Sequence, residues 1–222
     1  IRLTRGMDAK SVETVIRILI RQNAYLHTNA KSLDLFTRKE QEELRLLKEN
    51  FNSEIIKLND SLFAYRNYLL PVHHFESSVF YYKHGIADLN DPSTVKGKAI
   101  IDVGGFIGDS VLVLSELEPS TIYTFEAVPE NFELLKKTIE LNNVPNIVAE
   151  NMALGAKCGT LTIHTCGSGS TSIERPGLVY KEDIEVPVTT LDKYIAEHGI
   201  DVGLIKVDIE GGEPAFLEGA RK

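Results

Sequence analysis

A short apolar segment that runs into a glycine-rich turn constrains the fold of this chain more than any other feature. Residues 100–109 read Ile-Ile-Asp-Val-Gly-Gly-Phe-Ile-Gly-Asp, and the apolar residues after Gly108 follow helical spacing. A strand, a glycine turn and a helix in this order leave backbone N–H groups free at the helix start, and glycine lets a ligand approach the backbone closely. Nucleotide-like cofactors bind at such turns, at the carboxyl ends of parallel strands.

The residues around these glycines narrow the choice of cofactor. Phe106 stands where the dinucleotide fingerprint G-x-G-x-x-G has its second glycine. A carboxylate at Asp102 would repel a pyrophosphate, and it suits a cofactor with a cationic head. Glu126 ends the next apolar run, 126 − 104 = 22 residues beyond Gly104, near the spacing of an acid that hydrogen-bonds ribose hydroxyls.

The composition bounds the fold and argues against some classes of partner. A chain of 222 residues can form one α/β domain with an appendage. The net charge of −8 argues against binding nucleic-acid phosphates, and no apolar run reaches the length of a membrane span. The only cysteines, Cys158 and Cys166, fit neither a zinc site nor a disulfide framework, which predicts a reducing, cytoplasmic location.

Residues from about 8 to 70 have the apolar spacing of helices. A capping-box sequence, Thr37 to Glu40, precedes the second of two apolar stripes, and Pro71 ends that stripe. The stripes consist of Val12, Val15, Ile16, Leu19 and Ile20, then of Leu44, Leu47, Phe51, Ile55, Leu58 and Leu62. The second stripe predicts a helical cap on the α/β domain or, alternatively, a coiled-coil seam. Such helices could also form a homodimer.

Residues 72–97 are transitional between this region and the α/β pattern. Residues 78–82 have strand composition, His84-Gly85 has the form of a turn, and residues 91–97 have the composition of a linker. We therefore predict a helical N-terminal cap and linker at 1–92 and a cofactor-binding domain at 93–222. The histidines at 73, 74 and 84 lack further ligands nearby, so no metal site is predicted.

From residue 98 strands alternate with helices. Strands are predicted at 98–103, 121–126, about 146–150 and 202–208, and helices at about 108–117, 129–142, 191–198 and from Pro214. This order predicts an α/β fold, a doubly wound parallel sheet with helices on both faces. Four core strands are visible and the final strands of a full sheet are expected to be absent, so we expect the domain to be incomplete at its C-terminal end.

The alternation breaks between residues 155 and 190. Residues 160–165 and 184–188 have strand patterns, and between them lies the hydroxyl-rich sequence Gly-Ser-Gly-Ser-Thr-Ser at 167–172. This segment predicts either a lid or acceptor contact beside the cofactor or a plain hairpin connection.

Five sequence blocks follow one another in order from about residue 98 to the end of the chain. They are Ile101-Asp102-Val103-Gly104 with Gly108-Asp109; Thr124-Phe125-Glu126 with Pro129-Glu130-Asn131; Asn151-Met152-Ala153-Leu154-Gly155; Val186-Pro187-Val188-Thr189-Thr190-Leu191-Asp192; and residues 205–213 with Leu217-Glu218-Gly219-Ala220. Together they resemble the FkbM family of S-adenosylmethionine-dependent methyltransferases, which has a class I, Rossmann-like fold. The family usually has Ala-Asn at Gly105-Phe106, and it usually has Pro directly after Glu126, where this chain has Ala127 and Val128.

The resemblance implies a cofactor site and a set of catalytic candidates. S-adenosylmethionine would have its amino-acid end against Asp102 and the glycine turn, its ribose on Glu126, and its adenine near two residues after the third strand. The cofactor-binding residues implied in this way are Asp102, Gly104, Gly105, Gly108, Glu126, Asn151 and Ala153. Asp102 could instead be a turn or helix-capping acid, and Glu126 a solvated carboxylate at a strand end.

The same resemblance implies a bacterial-type methyltransferase that acts on a hydroxyl of a sugar, a polysaccharide or glycolipid unit, or a natural product. A hydroxyl acceptor must lose its proton, and Asp208 and then Glu210, at the end of the fourth strand, are the candidate bases. Lys206 would neutralise these acids. The alternatives are N-methylation of a small molecule, a nicotinamide-dependent oxidoreductase, and a non-catalytic cofactor-binding module.

Overall fold

The computed structural model describes residues 4–28, 35–89, 91–166, 170–172 and 179–222. The chain divides into two compact units, Ile1–Ser53 and Glu54–Lys222. The division precedes residue 92, and the domain boundary at 92/93 stays a prediction. No helix among the described residues is long and apolar enough to cross a membrane.

The first unit contains two helices, as the sequence predicts. Helix α1 (Ala9–Thr28) begins after Asp8, whose carboxylate accepts hydrogen bonds from the N–H groups of Lys10 and Ser11. Helix α2 (Arg38–Ser53) begins with the predicted capping box, in which Thr37 N–H donates to Glu40 and Glu40 N–H donates to the Thr37 hydroxyl. Side-chain acceptors at these positions satisfy N–H groups that a helix start leaves unpaired.

Residues 55–70 are strands, and the prediction that the second helix continues to Pro71 was wrong. The strands β1 (Ile55–Asn59), β2 (Leu62–Tyr65) and β3 (Tyr68–Leu70) form an antiparallel sheet in the order β1-β2-β3. Asn59 accepts the N–H of Ser61 in the first turn, and Arg66 has a φ of +54° in the second. The helical spacing of the apolar residues was coincidental, because these turn residues and the aromatic side chains favour a sheet.

Residues 78–82 were predicted as a strand, and this prediction was also wrong. Helix α3 (Ser77–Phe80) occupies most of the segment and buries both Val79 and Phe80. A strand would point these neighbours to opposite faces, whereas a helical turn lets both pack inward. The Phe80 ring lies 5.2 Å from the ring of Tyr68, measured between centroids. The predicted turn at His84-Gly85 is present, and both residues have positive φ.

The remaining elements follow the predicted alternation. They are β4 (Ala99–Val103), α4 (Asp109–Leu114), β5 (Thr121–Phe125), α5 (Pro129–Asn142), β6 (Ile147–Glu150), β7 (Ala153–Leu154), β8 (Gly159–His164), β9 (Asp183–Thr189), α6 (Leu191–His198), β10 (Val202–Val207) and α7 (Glu213–Glu218). Short 3-10 helices occupy Lys83–Asp88, Pro92–Thr94 and Ser115–Leu117.

The core sheet has four parallel strands in the order β10-β4-β5-β6, which confirms the predicted α/β fold. Its two faces are covered by different helices. Ile100 and Ile122 pack against Val111 of α4, and Ile101 and Phe125 belong to the cluster that contains residues of α6 and α7. A smaller sheet, β7-β9-β8, pairs β8 with β9 antiparallel and confirms the two strands predicted after residue 155.

Candidate functional site

A cavity of about 370 Å³ lies at the carboxyl ends of the parallel strands. One part of its wall, which we call the glycine-turn half, includes Gly104, Phe106, Glu126, Asn131 and Ala153. Another part, which we call the loop half, includes Ser170, Thr171, Ser172, Asp208 and Glu210. A pocket of this size at the carboxyl ends of a doubly wound sheet is the usual position of a small-molecule site.

Gly104 is held in place by its close neighbours. Its φ is +83°, and a Cβ atom there would lie 2.0 Å from the backbone oxygen of Asp208. Its N–H and that of Gly105 both donate to the Phe125 carbonyl, and each hydrogen bond is 2.9 Å long. The turn therefore requires glycine at position 104, because any side chain would separate the ends of β4 and β10.

Gly105 and Gly108 are absent from the cavity wall and serve the packing behind it. A Cβ at Gly105 would lie 2.2 Å from the Thr124 hydroxyl oxygen, and one at Gly108 would lie 3.1 Å from the Leu135 carbonyl oxygen. Gly108 also begins α4 with a φ of +85°. Direct contacts of these two glycines with a cofactor stay a prediction.

A row of polar side chains is buried behind the glycine turn. Asp102 is fully buried, and its carboxylate accepts hydrogen bonds from the hydroxyls of Ser110 (2.8 Å) and Thr124 (2.9 Å). Lys206 pairs with Asp102 in the β10–β4 register, and its Nζ lies 3.1 Å from Asp102 Oδ1. Asp102 is not part of the cavity wall, so its cofactor contact stays a prediction. Lys206 was expected to neutralise Asp208 and Glu210, whereas the carboxylate it pairs with is that of Asp102.

Glu126 is the buried carboxylate of the cavity wall. Its Oε2 accepts a hydrogen bond from the N–H of Phe106 and its Oε1 accepts one from the N–H of Val128, each 2.8 Å long. Asn131 adds a side-chain hydrogen bond. Burial raises the pKa of Glu126 to about 7, against the effect of these hydrogen bonds. The alternative of a solvated carboxylate at a strand end does not match this environment, since Glu126 is 7% exposed.

Asn151 and Ala153 have different positions around the cavity. Ala153 lies in its wall. Asn151 does not, and its side-chain amide donates to the backbone carbonyls of Glu126 (2.8 Å) and Ala127 (3.2 Å). Asn151 thus joins the segment after β6 to the segment that carries Glu126, and its predicted place near adenine stays a prediction.

Asp208 and Glu210 both lie in the cavity wall, just after the end of β10. The Asp208 N–H donates a 3.0 Å hydrogen bond to the Val103 carbonyl, which fixes the backbone at the end of β10. Glu210 has a φ of +54°, and its carbonyl accepts a 2.7 Å hydrogen bond from the Thr171 hydroxyl. This bond ties the hydroxyl-rich segment to the strand end. Residues 167–169 of that segment lie outside the described residues.

Two residues of the glycine-turn half were missed as site residues by the sequence reasoning. Phe106 has a φ of +46°, and its ring packs against that of His74 with centroids 5.0 Å apart. Asn131 belongs to the second sequence block but was not predicted to line the site. A signal existed for each residue. The family usually has Asn, which tolerates left-handed backbone, at the Phe106 position, and Asn131 lies in the first turn of the helix that begins three residues after Glu126.

The described residues contain no group of three or more His, Cys, Asp or Glu side chains that could hold a metal ion. His73 packs on the ring of Phe63, with centroids 5.1 Å apart, and His74 lies 3.0 Å from a Glu76 carboxylate oxygen. Burial lowers the pKa of His84, and the nearby Lys206 lowers it further.

Comparisons with known proteins identify similar sequences and folds. The family model described as "Methyltransferase FkbM domain" matches residues 102–222. The curated protein "Methyltransferase 1" of Beauveria bassiana (strain ARSEF 2860) is 28% identical over 191 residues, which are 75% of this chain and 75% of that protein.

Similar solved structures include Trm5b from Pyrococcus abyssi, with 16% identity over 43% of this chain and 29% of that chain and a TM-score of 0.34. M. jannaschii TYW2 in complex with AdoMet has 14% identity over 43% of this chain and 45% of that chain, with a TM-score of 0.32. A SAM-dependent methyltransferase from Agrobacterium tumefaciens has 11% identity over 45% and 33%, with a TM-score of 0.32. The matched segments span less than half the length of each of these three solved chains.

Proposed function

Because this chain belongs to the FkbM family of S-adenosylmethionine-dependent methyltransferases, we propose that it methylates a hydroxyl oxygen. The proposed acceptor is a sugar, a polysaccharide or glycolipid unit, or a natural product. The observation that carries the cofactor part of this proposal is the environment of Glu126, a buried carboxylate in the cavity wall whose oxygens accept hydrogen bonds from two backbone N–H groups. The hydroxyl acceptor is supported by the carboxylates of Asp208 and Glu210 in the same wall.

The residues of the glycine-turn half fit S-adenosylmethionine. A carboxylate has about four acceptor positions, so Glu126 retains capacity for a ribose hydroxyl beside the three hydrogen bonds it accepts within the protein. The charged residues of the wall are three carboxylates, Glu126, Asp208 and Glu210, and one ammonium, Lys157. This excess of negative charge suits a cofactor that carries a sulfonium and an ammonium group.

When bound, the cofactor supplies a methyl group on a sulfonium. The protein's part in an in-line displacement is to align the acceptor, exclude water and hold the acceptor's proton. We assign proton removal to the Asp208 carboxylate, with Glu210 as the second candidate, since both lie in the loop half. Ser170 and Ser172 would orient the acceptor through their hydroxyls, whereas the Thr171 hydroxyl donates to the Glu210 carbonyl.

Calorimetric titration with S-adenosylmethionine and its demethylated product tests the cofactor site. We expect wild type to bind both and Glu126→Gln to lose affinity by about 10- to 100-fold, because the charge-assisted hydrogen bonds from hydroxyls are weakened. Glu140→Gln, an exposed position on α5, is the matched control and should bind as wild type does. Equal affinity of Glu126→Gln and wild type would remove Glu126 from the site.

The acceptor is then sought by the release of S-adenosylhomocysteine from neutral sugars, amino sugars and phosphorylated sugars. The acidic cavity wall and the net charge of −8 support a small-molecule or glycan acceptor and argue against nucleic acid. Asp208→Asn should bind the cofactor and lower turnover. Methylation of amines and not of hydroxyls would replace O-methylation by N-methylation.

Two further parts of the proposal concern location and assembly. A cytoplasmic location is supported by Cys158 and Cys166, which are both free thiols. A homodimer through the N-terminal helices is supported by apolar side chains on α1 that are about half exposed or more, among them Ile20 at 63% and Leu26 at 75%. Light scattering on wild type and on Leu26→Glu tests the dimer, which the substitution should dissociate.

A further inference from the structure

Lys206 is a largely buried cation directly behind the glycine turn. Its side chain is 13% exposed, and its Nζ lies 3.1 Å from Asp102 Oδ1. The same ammonium donates a shorter, 2.7 Å hydrogen bond to the carbonyl oxygen of Gly104. Burial disfavours the ammonium, but Asp102 and the neighbouring Asp208 and Asp109 outweigh this effect and raise the pKa of Lys206. The group is therefore charged at neutral pH and donates strong hydrogen bonds.

Three neighbours constrain the backbone of Gly104, one each at its N–H, its Cα and its carbonyl oxygen. Its N–H is held by the Phe125 carbonyl, and its Cα packs against the Asp208 backbone oxygen so closely that no Cβ would fit. The direction of its carbonyl is set by Lys206. Rotation of this carbonyl would turn the Gly104–Gly105 peptide, and with it the turn that forms the cavity wall.

Neutralising Asp102 accounts for only part of this arrangement. The hydroxyls of Ser110 and Thr124 both donate to Asp102 Oδ2, and Lys206 faces Oδ1, but the shorter contact of Lys206 is to the Gly104 carbonyl oxygen. An ammonium that served only as a counter-ion would be expected to approach the carboxylate more closely than a carbonyl.

We propose that Lys206 is a positioning residue of the cofactor site, which holds the Gly104 carbonyl and thereby fixes the glycine turn in the shape that binds S-adenosylmethionine. This inference rests on the proposed function. Lys206 acts through the Gly104 backbone, so it affects the sulfonium cofactor and its uncharged-sulfur product alike.

The test uses pairs of variants of the full chain, because Lys206→Met alone leaves a buried carboxylate without its cation and could unfold the protein. The first pair is Asp102→Asn with and without Lys206→Met, so that both charges are gone in the double variant. The second pair is Lys206→Gln and Lys206→Met, each in the Asp102→Asn background, of which only glutamine keeps an N–H donor for the Gly104 carbonyl. Lys137→Met, an exposed position on α5, is the control for loss of a positive charge. Thermal unfolding checks that each variant is folded, and calorimetry gives the affinities for both S-adenosyl compounds.

We expect the double variant Asp102→Asn, Lys206→Met to bind both compounds about tenfold or more weakly than Asp102→Asn alone, because a small misplacement of a binding element is costly. Lys206→Gln should retain more affinity than Lys206→Met. Unchanged affinities on adding Lys206→Met to Asp102→Asn would overturn the inference and leave Lys206 as a counter-ion. Tighter binding of S-adenosylmethionine alone would also overturn it, since Lys206 would then act by repelling the sulfonium. Failure of wild type to bind either compound would instead refute the proposed function.

Discussion

The glycine-turn half and the loop half of the cavity lie side by side but are built differently. In the glycine-turn half, backbone groups hold the functional carboxylate, and buried side chains hold the backbone: Glu126 accepts two N–H groups, and Lys206 holds the Gly104 carbonyl. In the loop half, a hydroxyl on one segment bonds the backbone of another, as Thr171 does with Glu210. The first arrangement suits the proposed cofactor, which does not vary, and the second would let the proposed acceptor side change without disturbing the cofactor side.

The largest expected effect is that of a side chain at Gly104. Gly104→Ala must displace the Asp208 backbone oxygen, which a Cβ would approach to 2.0 Å. We expect a loss of unfolding free energy of about 4 kcal/mol or more, measured by urea unfolding. Gly97→Ala is the matched control, because Gly97 has a similar φ of +76° with no atom within 4 Å of a Cβ. It should cost only the backbone strain, about 1–2 kcal/mol. Equal losses in the two variants would show that the turn is not tightly packed.

The pH dependence of cofactor binding gives the next effect. The pKa of Glu126 is raised to about 7 by burial, and in the proposed site its ionised form would accept the ribose hydroxyls. Affinity should therefore rise about tenfold between pH 6 and pH 8, with release of a proton. Calorimetry in two buffers of different ionisation enthalpy measures this release. The dependence should be absent from Glu126→Gln, and a profile shared by both proteins would assign it to another group.

Without cofactor the same group acts on stability in the opposite direction. Glu126 ionises near pH 4.5 in the unfolded chain and near pH 7 in the folded one, so between these values the folded state binds more protons. The wild-type unfolding free energy should fall relative to that of Glu126→Gln as the pH rises from about 4.5 to about 7. A difference between the two proteins that does not change over this range would contradict the raised pKa.

A smaller effect is expected from Asn151, which supports the glycine-turn half from behind. Asn151→Ala removes the donor to the Glu126 and Ala127 carbonyls. The unfolding free energy should fall by about 1 kcal/mol, and the cofactor affinity should fall a few-fold because Glu126 is held less firmly. Asn151→Asp keeps the size but places a carboxylate oxygen against the same two carbonyl oxygens, so it should cost at least as much. A large loss of affinity without loss of stability would instead favour the direct contact with adenine.

The contrast between the two halves also decides how much the sequence could predict. The positions of Gly104 and Glu126 could be predicted from local patterns. A turn that needs positive φ favours glycine, and Glu126 ends the next strand at a typical number of residues after that glycine. The four parallel strands follow from the apolar runs and the helices between them. Positions that depend on distant partners were not predicted. Asp102 reads as a ligand-facing acid, yet Ser110, Thr124 and Lys206 surround it on the buried side.

The errors outside the site have the same origin. The spacing of Ile55, Leu58 and Leu62 satisfies a helix, but a turn between Leu58 and Leu62 reverses the chain and pairs β1 with β2. Asn142 of α5 pairs its side-chain amide with the backbone of Leu69, and this tertiary contact stabilises the third strand of that sheet. Local spacing carries no information about such contacts, so tertiary packing overrides it.

The smallest effect is expected in the loop half and tests whether the halves are independent. Thr171→Val keeps the size and shape of a buried side chain and removes its hydrogen bond to the Glu210 carbonyl. We expect a loss of unfolding free energy of about 0.5–1 kcal/mol in urea and no change in the affinity for S-adenosylmethionine. Thr171→Ser, which keeps the hydroxyl, separates the hydrogen bond from the packing of the methyl group. If Thr171→Val weakens cofactor binding as much as Asn151→Ala does, the two halves are coupled, and the acceptor side cannot vary without affecting the cofactor side.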